Sequence, residues 1–483
     1  MEKNAEKDIK FGTDGWRGVM AREFTMDNVR RAAQAIADYL KEEAAKPRSQ
    51  RKPFLAGPVV IGYDRRFASD LFAREVAQVM QGNKFKTILS AEVFPTPALS
   101  YLTKKLKGPG IMVTASHNPA AYNGIKIKMD GRAAQEDVTA AVESWLDKSH
   151  PTKSGGFQEK SFREVYLSYL KSRVNVAAIR ARLKRPVVVD YLYGAAGGLL
   201  EELVKSKKII AIHAERDPLF GGLHPEPVET YLKDLKEAVK RERALIGIAL
   251  DGDADRVGVV DENGKYYTPC QVFPMLIEYL VEKKKLRGKI VQSVSMGYLS
   301  KRQAKAYGLA FEELPVGFKH VAERIASGEA AFGGEESGGY AWKGGIAERD
   351  GLLTGLLLLE MCLTLKKTPS QILSGIEAKH GRSFFKRMDL RLNKPVPDKA
   401  AYAAKIAKKL PKKITGLEIQ ELVQIDGLKI ILAGDNWILI RPSGTEPLLR
   451  IYAESDSPQK TQDMLDLARK WAGAGAYVDA AAH

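Results

Sequence analysis

Short apolar runs alternate with helix-length amphipathic stretches over most of this chain. Residues 27–40 show a helical pattern, because apolar side chains recur on one face from Val29 to Leu40. The run Val59–Tyr63 is rich in β-branched residues and precedes a second helical stretch at Ser69–Gln81. Strands that alternate with helices predict α/β domains whose strands pair largely in parallel.

The later predicted elements follow the same alternation until the C-terminal part. Strands are predicted at Gly110–Thr114, Pro186–Asp190, Ile209–Ile212, Ala244–Leu250 and Ile290–Val294, and helices at Gln271–Lys284, at Ser300–Tyr307 and from Leu352. Val257–Val260 and Lys265–Tyr267 flank Asn263-Gly264, which predicts a hairpin with a two-residue turn. Beyond Lys394–Pro397 the strand-like runs are shorter, and a closing helix from Pro458 predicts an α+β fold there.

Length and composition favour a multidomain protein with buried cores. The chain has 483 residues, of which 45% are hydrophobic, and such a length corresponds to about three or four domains. The longest apolar run, Leu352 to Met361, is interrupted by Thr354, Gly355 and Glu360 and predicts a buried helix and no membrane span. A charged N-terminus with no apolar stretch, and two cysteines in all, favour a cytoplasmic protein without a disulfide framework.

The net charge of +17 admits more than one interpretation. A basic chain can bind nucleic acid or attract an anionic substrate, or it can have a lysine-rich surface. The lysines are scattered, and no known nucleic-acid-binding motif accompanies them. We therefore expect no nucleic-acid partner.

The first motif with chemical potential is Thr114–Pro119, with the letters TASHNP, which follows a predicted strand. Ligands of open α/β sheets bind at loops after strand ends, so Ser116 becomes a nucleophile if a base or a metal activates it. A simple Ser/Asn/Pro turn is the alternative. A serine hydrolase is disfavoured, because a G-x-S-x-G elbow is missing and His117 is an immediate neighbour whose side chain should point away.

The second motif places three carboxylates at alternate positions after an apolar strand. Asp251, Asp253 and Asp255 can converge there on one hard cation. An acidic surface loop is one alternative. An EF-hand is another, but it needs glycine where Arg256 stands and flanking helices where strands are predicted. A haloacid-dehalogenase-type phosphotransferase, with Asp251 as nucleophile, also fits this motif alone.

A third motif, the glycine-rich segment Gly333–Gly339, can bring a loop close to a ligand. Within it, Glu335 offers hydrogen-bond acceptors and Ser337 offers a hydroxyl that donates and accepts. Neighbouring hydroxyls of a sugar require groups of this kind. A flexible turn is the alternative when the segment is considered alone.

The fourth motif combines a guanidinium with two hydroxyls around a glycine. It contains Arg441, Ser443, Gly444 and Thr445. Guanidinium groups bind phosphate oxygens bidentately and backbone N–H groups can join them, so the segment is a candidate phosphate cradle, with a capped turn as the alternative. Less specific candidates are Arg17 in Phe11–Gly18, and Lys319 and His320 in Pro315–His320.

In its motifs and their order, the chain resembles the α-D-phosphohexomutase superfamily, which includes phosphoglucomutases and phosphomannomutases. The motifs are FGTDGWRG, TASHNP, DGDADR, GEESGG and RPSGTEP. The motifs span residues 11 to 447. The resemblance implies an α/β fold of three related mixed α/β domains plus a C-terminal TATA-binding-protein-like α+β domain around a central cleft. We expect a phosphoserine domain at 1–150, a metal-binding domain at 151–260, a sugar-binding domain at 261–380 and a phosphate-binding domain at 381–483.

The resemblance also implies a role for each matching residue. Ser116 matches the phosphoserine, which completes the metal shell of Asp251, Asp253 and Asp255, and the sugar contacts are matched by Glu335 and Ser337. The loop that holds the non-reacting phosphate is matched by Arg441, Ser443, Gly444 and Thr445. The lining of the cleft is matched by Arg17, His117, Lys126, Arg256 and Lys319, with His320 beside it. Lys126 is the best candidate for proton transfer. The implied cofactors are one Mg²⁺ and a hexose 1,6-bisphosphate, which is both activator and intermediate. The implied partners are small sugar phosphates, without membrane or nucleic acid, for a monomer or homodimer.

One departure from the family pattern bears on the sugar. Many phosphomannomutases and phosphoglucosamine mutases have a sugar loop that ends in histidine, as in GEMSGH or GEQSGH, whereas Gly339 stands there in this chain. Together with the downstream segment Ile346–Gly351, this loop looks more like the phosphoglucomutase branch and favours glucose. Mannose phosphates and the synthesis of glucose 1,6-bisphosphate are the alternatives. A phosphatase with Asp251 as nucleophile leaves TASHNP and RPSGTEP unexplained.

Overall fold

The computed structural model describes residues 9–12, 14–443 and 447–473. Contacts divide the chain into two compact units. The first contains the residues up to Tyr266 together with Gly338–Pro369, and the second contains Tyr267–Ser337 and the residues from Ser370 onward.

The first sheet of the first unit is formed by residues up to 160. Its elements are β1 (Trp16–Val19), α1 (Met26–Ala45), β2 (Val59–Tyr63), α2 (Ser69–Gly82), β3 (Thr87–Ser90), α3 (Thr96–Leu106), β4 (Gly110–Val113), β5 (Tyr122–Met129), β6 (Arg132–Ala133), α4 (Glu136–Ser144) and β7 (Gln158–Lys160). The strand order is β1-β5-β4-β2-β3-β7, with β6 beside β5. β2 runs parallel to β3 and β4, whereas β5 is antiparallel to β4 and β1. Helix α1 begins where the Thr25 side chain accepts a hydrogen bond from the Asn28 amide, and its apolar face is buried in the core.

A second sheet completes the α/β part of this unit. Its elements are α5 (Arg163–Arg173), α6 (Val176–Arg182), β8 (Val187–Asp190), α7 (Leu199–Val204), β9 (Ile209–Ile212), α8 (Lys233–Arg241), β10 (Gly247–Leu250), β11 (Val257–Val260) and β12 (Tyr266–Tyr267). The order is β12-β11-β10-β8-β9, with β8 parallel to both β10 and β9 and β11 antiparallel to β10. The predicted hairpin forms between β11 and β12, and Gly264 has the positive φ (77°) that its turn requires.

The next part of the chain contributes to both units. Its elements are α9 (Pro269–Glu282), β13 (Lys289–Ser293), α10 (Leu299–Ala306), β14 (Phe311–Leu314), α11 (Phe318–Ala326), β15 (Ala330–Gly334), β16 (Tyr340–Trp342), α12 (Gly351–Leu365) and α13 (Pro369–His380). In the second unit, β13 pairs in parallel with β14 and β15. Helix α12 belongs to the first unit and is buried along most of its length, as predicted for the apolar run there. Among the helices that the structure describes, none has the length and apolar character needed to cross a membrane.

The C-terminal part of the second unit has the predicted α+β fold. Its elements are β17 (Phe384–Arg391), α14 (Lys399–Ala407), β18 (Lys413–Ile414), β19 (Leu417–Val423), β20 (Leu428–Leu432), β21 (Asn436–Pro442), β22 (Leu448–Ser455) and α15 (Pro458–Ala472). The strands pair in the order β17-β22-β21-β20-β19-β18, and all these pairs are antiparallel. Helix α15 covers the sheet with Met464, Leu465 and Ala468 in the shared core.

Some elements differ from the sequence-based prediction. The strand predicted from Ala244 begins at Gly247. The eight-residue strand β5, directly after the Ser116 loop, was not predicted at all. Its side chains Lys126 and Lys128 are buried, at 1% and 0% exposure, so the strand lacks the continuous apolar run by which the others were recognised.

A buried lysine joins the two sheets of the second unit. Lys429 on β20 is fully buried, and its ammonium donates to the main-chain oxygen of Val294 at 2.9 Å and to Glu313 Oε1 at 2.6 Å. The ammonium lies 4.2 Å from the centroid of the Tyr298 ring and 4.1 Å from that of Trp437. The Lys429 ammonium thus forms an ion pair, donates a hydrogen bond to a carbonyl oxygen and makes cation–π contacts with two rings.

We expect Lys429→Ala to destabilise this unit, because it leaves the partly buried Glu313 carboxylate without its cation and opens a gap between the rings. The free energy of unfolding should fall by about 3 kcal/mol, as measured by urea denaturation. The matched control is Lys413→Ala, which removes an exposed lysine paired with Glu418 and should change stability by less than about 0.5 kcal/mol. Equal effects of the two substitutions would contradict the assigned role.

Candidate active site

Ser116 lies in the loop that follows β4, and its backbone adopts a left-handed conformation with φ of 54°. Its amide donates to Thr114 Oγ1 at 2.9 Å, and its hydroxyl donates to Asp251 Oδ2, also at 2.9 Å. The hydroxyl therefore faces the acidic loop at the end of β10. His117 is not the hydrogen-bond partner of this hydroxyl, in agreement with the expectation that adjacent side chains point apart.

A fully buried arginine holds the Ser116 loop in this conformation. The Arg66 guanidinium donates at 2.6–2.9 Å to four main-chain oxygens, those of Ser116, Asn118, Pro119 and Tyr122. Asp64 pairs with Arg66 at 3.2 Å and accepts from the Thr114 hydroxyl at 2.6 Å. Because a left-handed conformation is unfavourable for serine, these contacts give the loop the support that it needs.

Asp251, Asp253 and Asp255 follow β10 and are completely buried. One carboxylate oxygen from each lies within 4.8 Å of the others. Within the described part of the chain, Asp253 Oδ1 and Asp255 Oδ1 are buried without a hydrogen-bond partner. Unpartnered carboxylate oxygens that converge in this way fit a hard divalent cation such as Mg²⁺.

Neighbouring donors fix the orientation of the first two carboxylates. Asp251 Oδ1 accepts from the main-chain N–H of Arg256 at 3.0 Å. Asp253 Oδ2 accepts from the Lys126 ammonium at 2.9 Å and from the Thr96 hydroxyl at 2.5 Å. For Asp253, this leaves Oδ1 as the oxygen that is available to a cation.

The third carboxylate is oriented by an arginine from a distant part of the sequence. Arg349 Nη2 lies 2.6 Å from Asp255 Oδ2 and 3.2 Å from Asp14 Oδ2. Asp14 also accepts from Lys126 at 2.9 Å and from Lys128 at 3.2 Å. Asp14 therefore links the cations that hold Asp253 and Asp255.

The surroundings shift the pKa values of Asp251 and Asp253 in opposite directions. Burial, and then the carboxylates of Asp255 and Asp253, raise the pKa of Asp251 well above its usual range. Burial also acts to raise the pKa of Asp253, but the Lys126 ammonium and the Thr96 hydroxyl outweigh it, and the net pKa is lowered. A divalent cation would offset the repulsion that Asp251 experiences, in further support of a metal at this position.

Lys126 and His117 carry different charges in this environment. Burial alone lowers the pKa of Lys126, but Asp14, Asp253 and Asp255 outweigh burial and raise it above the usual range for lysine, so the side chain is an ammonium at neutral pH. Burial, followed by nearby cations, lowers the pKa of His117 well below its usual range. The imidazole is therefore neutral, whereas Lys126 carries a positive charge at neutral pH.

The remaining candidates of the first unit lie around the same loops. Arg17 Nη1 donates to Asn118 Oδ1 in the Ser116 loop. Arg256 Nη1 donates to Glu226 at 3.1 Å, and its Nε lies 3.8 Å from Asp255 Oδ1. The first unit thus brings together eight predicted site residues: Arg17, Ser116, His117, Lys126, Asp251, Asp253, Asp255 and Arg256.

In the second unit, a carboxylate connects the glycine-rich segment to the start of α11. Glu335 Oε1 accepts from the Gly317 amide at 2.6 Å, and Glu335 Oε2 accepts from the Ser337 hydroxyl at 3.2 Å. Lys319 and His320 lie in the first turn of α11. The predicted pairs Glu335/Ser337 and Lys319/His320 are therefore neighbours.

A second carboxylate connects the same loop to the end of β21. Asp426 Oδ2 accepts from Arg441 Nε at 2.6 Å and from the Val316 amide at 3.3 Å. Ser443 is buried immediately after β21. Two further predicted residues, Gly444 and Thr445, lie outside the described residues.

Sequence reasoning missed the residues that support the site. They are Asp14, Asp64, Arg66, Thr96, Lys128, Arg349 and Asp426. Asp64 and Arg66 follow β2 as Ser116 follows β4, so the strand-end argument could have found them. Lys128 lies two residues after Lys126 and, in a strand, on the same face. Arg349 lies in the segment Ile346–Gly351, which resembles the phosphoglucomutase branch, but no pattern there indicates its contact with Asp255.

Family models match nearly the whole chain. They describe phosphoglucomutase/phosphomannomutase α/β/α domain I at residues 8–153, α/β/α domain II at 164–264, α/β/α domain III at 268–379 and the C-terminal domain at 392–470.

Individual proteins give the same result. A phosphoglucomutase/phosphomannomutase of Thermococcus kodakarensis is 30% identical over 471 residues, which cover 95% of this chain and 97% of the relative. A probable phosphoglucosamine mutase of Methanosphaera stadtmanae is 32% identical over 470 residues, which cover 95% of this chain and 96% of the relative. A solved structure from Thermus thermophilus, provisionally described as a phosphomannomutase, has a TM-score of 0.83 and 32% identity, and covers 96% of this chain and 98% of its own.

The carboxylate beside Arg349 in sequence gives the structure a pH dependence. Asp350 caps α12 by accepting from the Leu353 amide at 2.8 Å and also accepts from the Tyr166 hydroxyl at 2.9 Å. Burial raises the pKa of Asp350 to about 7. Its contribution to stability is therefore complete below the unfolded-state pKa of about 3.9 and is lost as the pH rises through about 7.

We expect Asp350→Asn to reduce the decrease in stability that the wild-type protein shows between about pH 4 and about pH 7. Asparagine can accept the same capping hydrogen bond but cannot ionise. Between about pH 4 and about pH 7, the free energy of unfolding should fall by about 4 kcal/mol more in the wild type than in Asp350→Asn. The measurement is thermal unfolding at a series of pH values. Asp398→Asn at the exposed cap of α14 is the control, and parallel pH profiles of wild type and Asp350→Asn would contradict the prediction.

Proposed function

The chain belongs to the phosphoglucomutase/phosphomannomutase family, and from this premise we propose that it interconverts glucose 1-phosphate and glucose 6-phosphate, with Ser116 as the carrier of the phosphoryl group. The observation that carries the proposal is the hydrogen bond from Ser116 Oγ to Asp251 within a buried triad of aspartates. A phosphatase with Asp251 as nucleophile would not require a buried serine at this position. Small sugar phosphates are the proposed partners, and the cytoplasm is the proposed location.

The proposed reaction has two half-reactions. In the first, the phosphoryl group of phospho-Ser116 passes to O6 of glucose 1-phosphate; the P–Oγ bond breaks, a P–O6 bond forms, O6 loses its proton and Oγ gains one. In the second, Oγ loses that proton and attacks the 1-phosphoryl group of the bisphosphate; the P–O1 bond breaks, a P–Oγ bond forms, and O1 gains a proton. The bisphosphate must turn over between the two steps so that each end reaches Ser116 in its turn.

Residues of the first unit supply the proton chemistry. Lys126, whose ammonium contacts Asp253, is proposed to transfer the proton to or from the sugar oxygen. Asp251 Oδ2 accepts the hydrogen of the free Ser116 hydroxyl and orients Oγ for attack. Arg17, His117 and Arg256 are proposed to line the site around the transferred group.

The aspartates are proposed to hold one Mg²⁺ through Asp251, Asp253 and Asp255, together with an oxygen of phospho-Ser116. When bound, the ion supplies neutralisation of the charge on the transferred phosphoryl group. Arg349 holds the carboxylate of Asp255, and Lys126 and Thr96 hold that of Asp253.

Residues of the second unit are proposed to recognise the substrate. Glu335 and Ser337 would bind sugar hydroxyls, and Lys319 and His320 lie beside them at the start of α11. Arg441 and Ser443, with Gly444 and Thr445, would hold the phosphate that does not react. Asp426 Oδ2 accepts a hydrogen bond from Arg441 Nε at 2.6 Å and so orients the guanidinium.

Glucose is proposed because Gly339 ends the glycine-rich segment where many phosphomannomutases and phosphoglucosamine mutases have histidine. The relatives named above include a phosphoglucosamine mutase and a phosphomannomutase, which makes glucosamine and mannose phosphates the competing substrates. Synthesis of glucose 1,6-bisphosphate uses the same residues and is the alternative outcome of the same chemistry.

The test is a coupled assay that converts glucose 1-phosphate, in the presence of Mg²⁺ and a trace of glucose 1,6-bisphosphate, and detects glucose 6-phosphate. We expect turnover by the wild type and a loss of at least about 10⁴-fold in kcat for Ser116→Ala, because the carrier oxygen is removed. Ser154→Ala, in an exposed turn, is the matched control and should retain full activity.

Activity that persists in Ser116→Ala but disappears in Asp251→Asn, with release of free phosphate, would replace the mutase by the Asp251 phosphatase. The same assay with mannose 1-phosphate and glucosamine 1-phosphate ranks the sugars by kcat/KM. We expect glucose to exceed the others by at least about tenfold, and a higher kcat/KM for another sugar would assign the chain to that substrate.

A further inference from the structure

In the first unit, the Arg349 side chain fills the space that a side chain at position 339 would need. A Cβ atom built on Gly339 would lie 2.1 Å from Arg349 Cδ and 2.6 Å from Arg349 Cγ. Gly339 does not have a positive φ, so its backbone conformation is open to other residues. Glycine is therefore required at this position by the path of the arginine side chain and not by backbone conformation.

The path of Arg349 ends at a proposed metal ligand. Its Nη2 lies 2.6 Å from Asp255 Oδ2, and Asp14 Oδ2 holds the same guanidinium at 3.2 Å. The other oxygen of this ligand, Asp255 Oδ1, is buried and lacks a hydrogen-bond partner among the residues described. A carboxylate held firmly by one oxygen presents the other in a fixed direction.

We propose that Arg349 is a positioning residue for the metal site, and that Gly339 is needed because it leaves open the path by which Arg349 reaches Asp255. Arg349 turns Asp255 Oδ1 toward the cation, and Asp14 keeps the guanidinium in place. This inference rests on the proposed role of Asp251, Asp253 and Asp255 as metal ligands.

A positioning role and a merely structural role make opposite predictions for metal affinity. Arg349 is a cation close to the site, so its removal would by charge alone strengthen the binding of Mg²⁺. If the arginine orients Asp255, its removal weakens binding in spite of that electrostatic gain. The direction of the change in affinity therefore identifies the role.

The experiment is calorimetric titration of the full chain, without substrate, with Mg²⁺ and with Mn²⁺ as a second probe. We expect the Kd to rise by about 10-fold or more in Arg349→Ala, within the range of about 10–100-fold for residues that orient metal ligands. Gly339→Ala should produce a comparable rise, although it leaves Arg349 and Asp255 chemically intact. Arg349→Lys, which keeps the charge but loses the fork of donors, should lie between wild type and Arg349→Ala.

The double variant Gly339→Ala/Arg349→Ala tests whether the two positions act through one contact. It should bind the metal no more weakly than Arg349→Ala alone, because a short side chain at 349 leaves nothing for the new methyl group to displace. Gly155→Ala is the matched control, since a Cβ atom there meets nothing within 4 Å. Thermal unfolding in EDTA shows whether each variant is folded, and Gly339→Ala and Arg349→Lys carry the test if Arg349→Ala is not.

Folded variants that bind Mg²⁺ as tightly as wild type, or more tightly, would overturn the inference and leave the proposed function intact. If the losses of Mg²⁺ affinity in the two single variants add up in the double variant, the link between the two positions would be overturned. A wild-type protein that binds neither cation would overturn the proposed metal site itself, and the inference with it.

Discussion

Three aspartates buried at the end of one strand impose the constraint on which the rest of the first unit depends. One oxygen from each lies within 4.8 Å of the others, and like charges at such distances in a buried site repel strongly. The Lys126 ammonium binds Asp253 Oδ2 and the Arg349 guanidinium binds Asp255 Oδ2, and the other oxygen of each carboxylate is without a hydrogen bond in the described part of the chain. The fold thus balances part of the negative charge, and the proposed cation would balance the remainder.

The arrangement of strands explains how residues far apart in sequence meet. Ser116 and Asp251 are separated by 135 positions, yet each follows the end of a strand, β4 and β10 respectively. A phosphoryl carrier needs a hydroxyl that is exposed to its acceptor and held rigidly. Arg66 provides this rigidity by binding four main-chain oxygens of the Ser116 loop. The same loop is therefore both strained, with Ser116 at a positive φ, and fully supported.

The strand-end rule made the meeting of Ser116 with the aspartates predictable, because it depends on the order of apolar runs and polar loops along the chain. It could not reveal Lys128, because a lysine buried in β5 conceals the apolar pattern of that strand. Arg349 lies in the segment Ile346–Gly351, which resembles the phosphoglucomutase branch, but its contact with Asp255 spans 94 positions and no local pattern indicates it. The sequence drew attention to Gly339 through the histidine that is missing there, whereas the structure supplies a physical reason, the side chain that crosses it.

The proposed mechanism requires that the phosphoryl group reside on Ser116 and not on an aspartate. The most direct measurement is to incubate the protein with glucose 1,6-bisphosphate, stop the reaction, and map the covalent phosphate by mass spectrometry of the peptides before and after treatment with hydroxylamine. We expect a phosphoryl group on the peptide that contains Ser116, and this phosphate ester should resist hydroxylamine. A phosphoryl group on the peptide that contains Asp251, released by hydroxylamine as an acyl phosphate would be, would contradict the proposed mechanism.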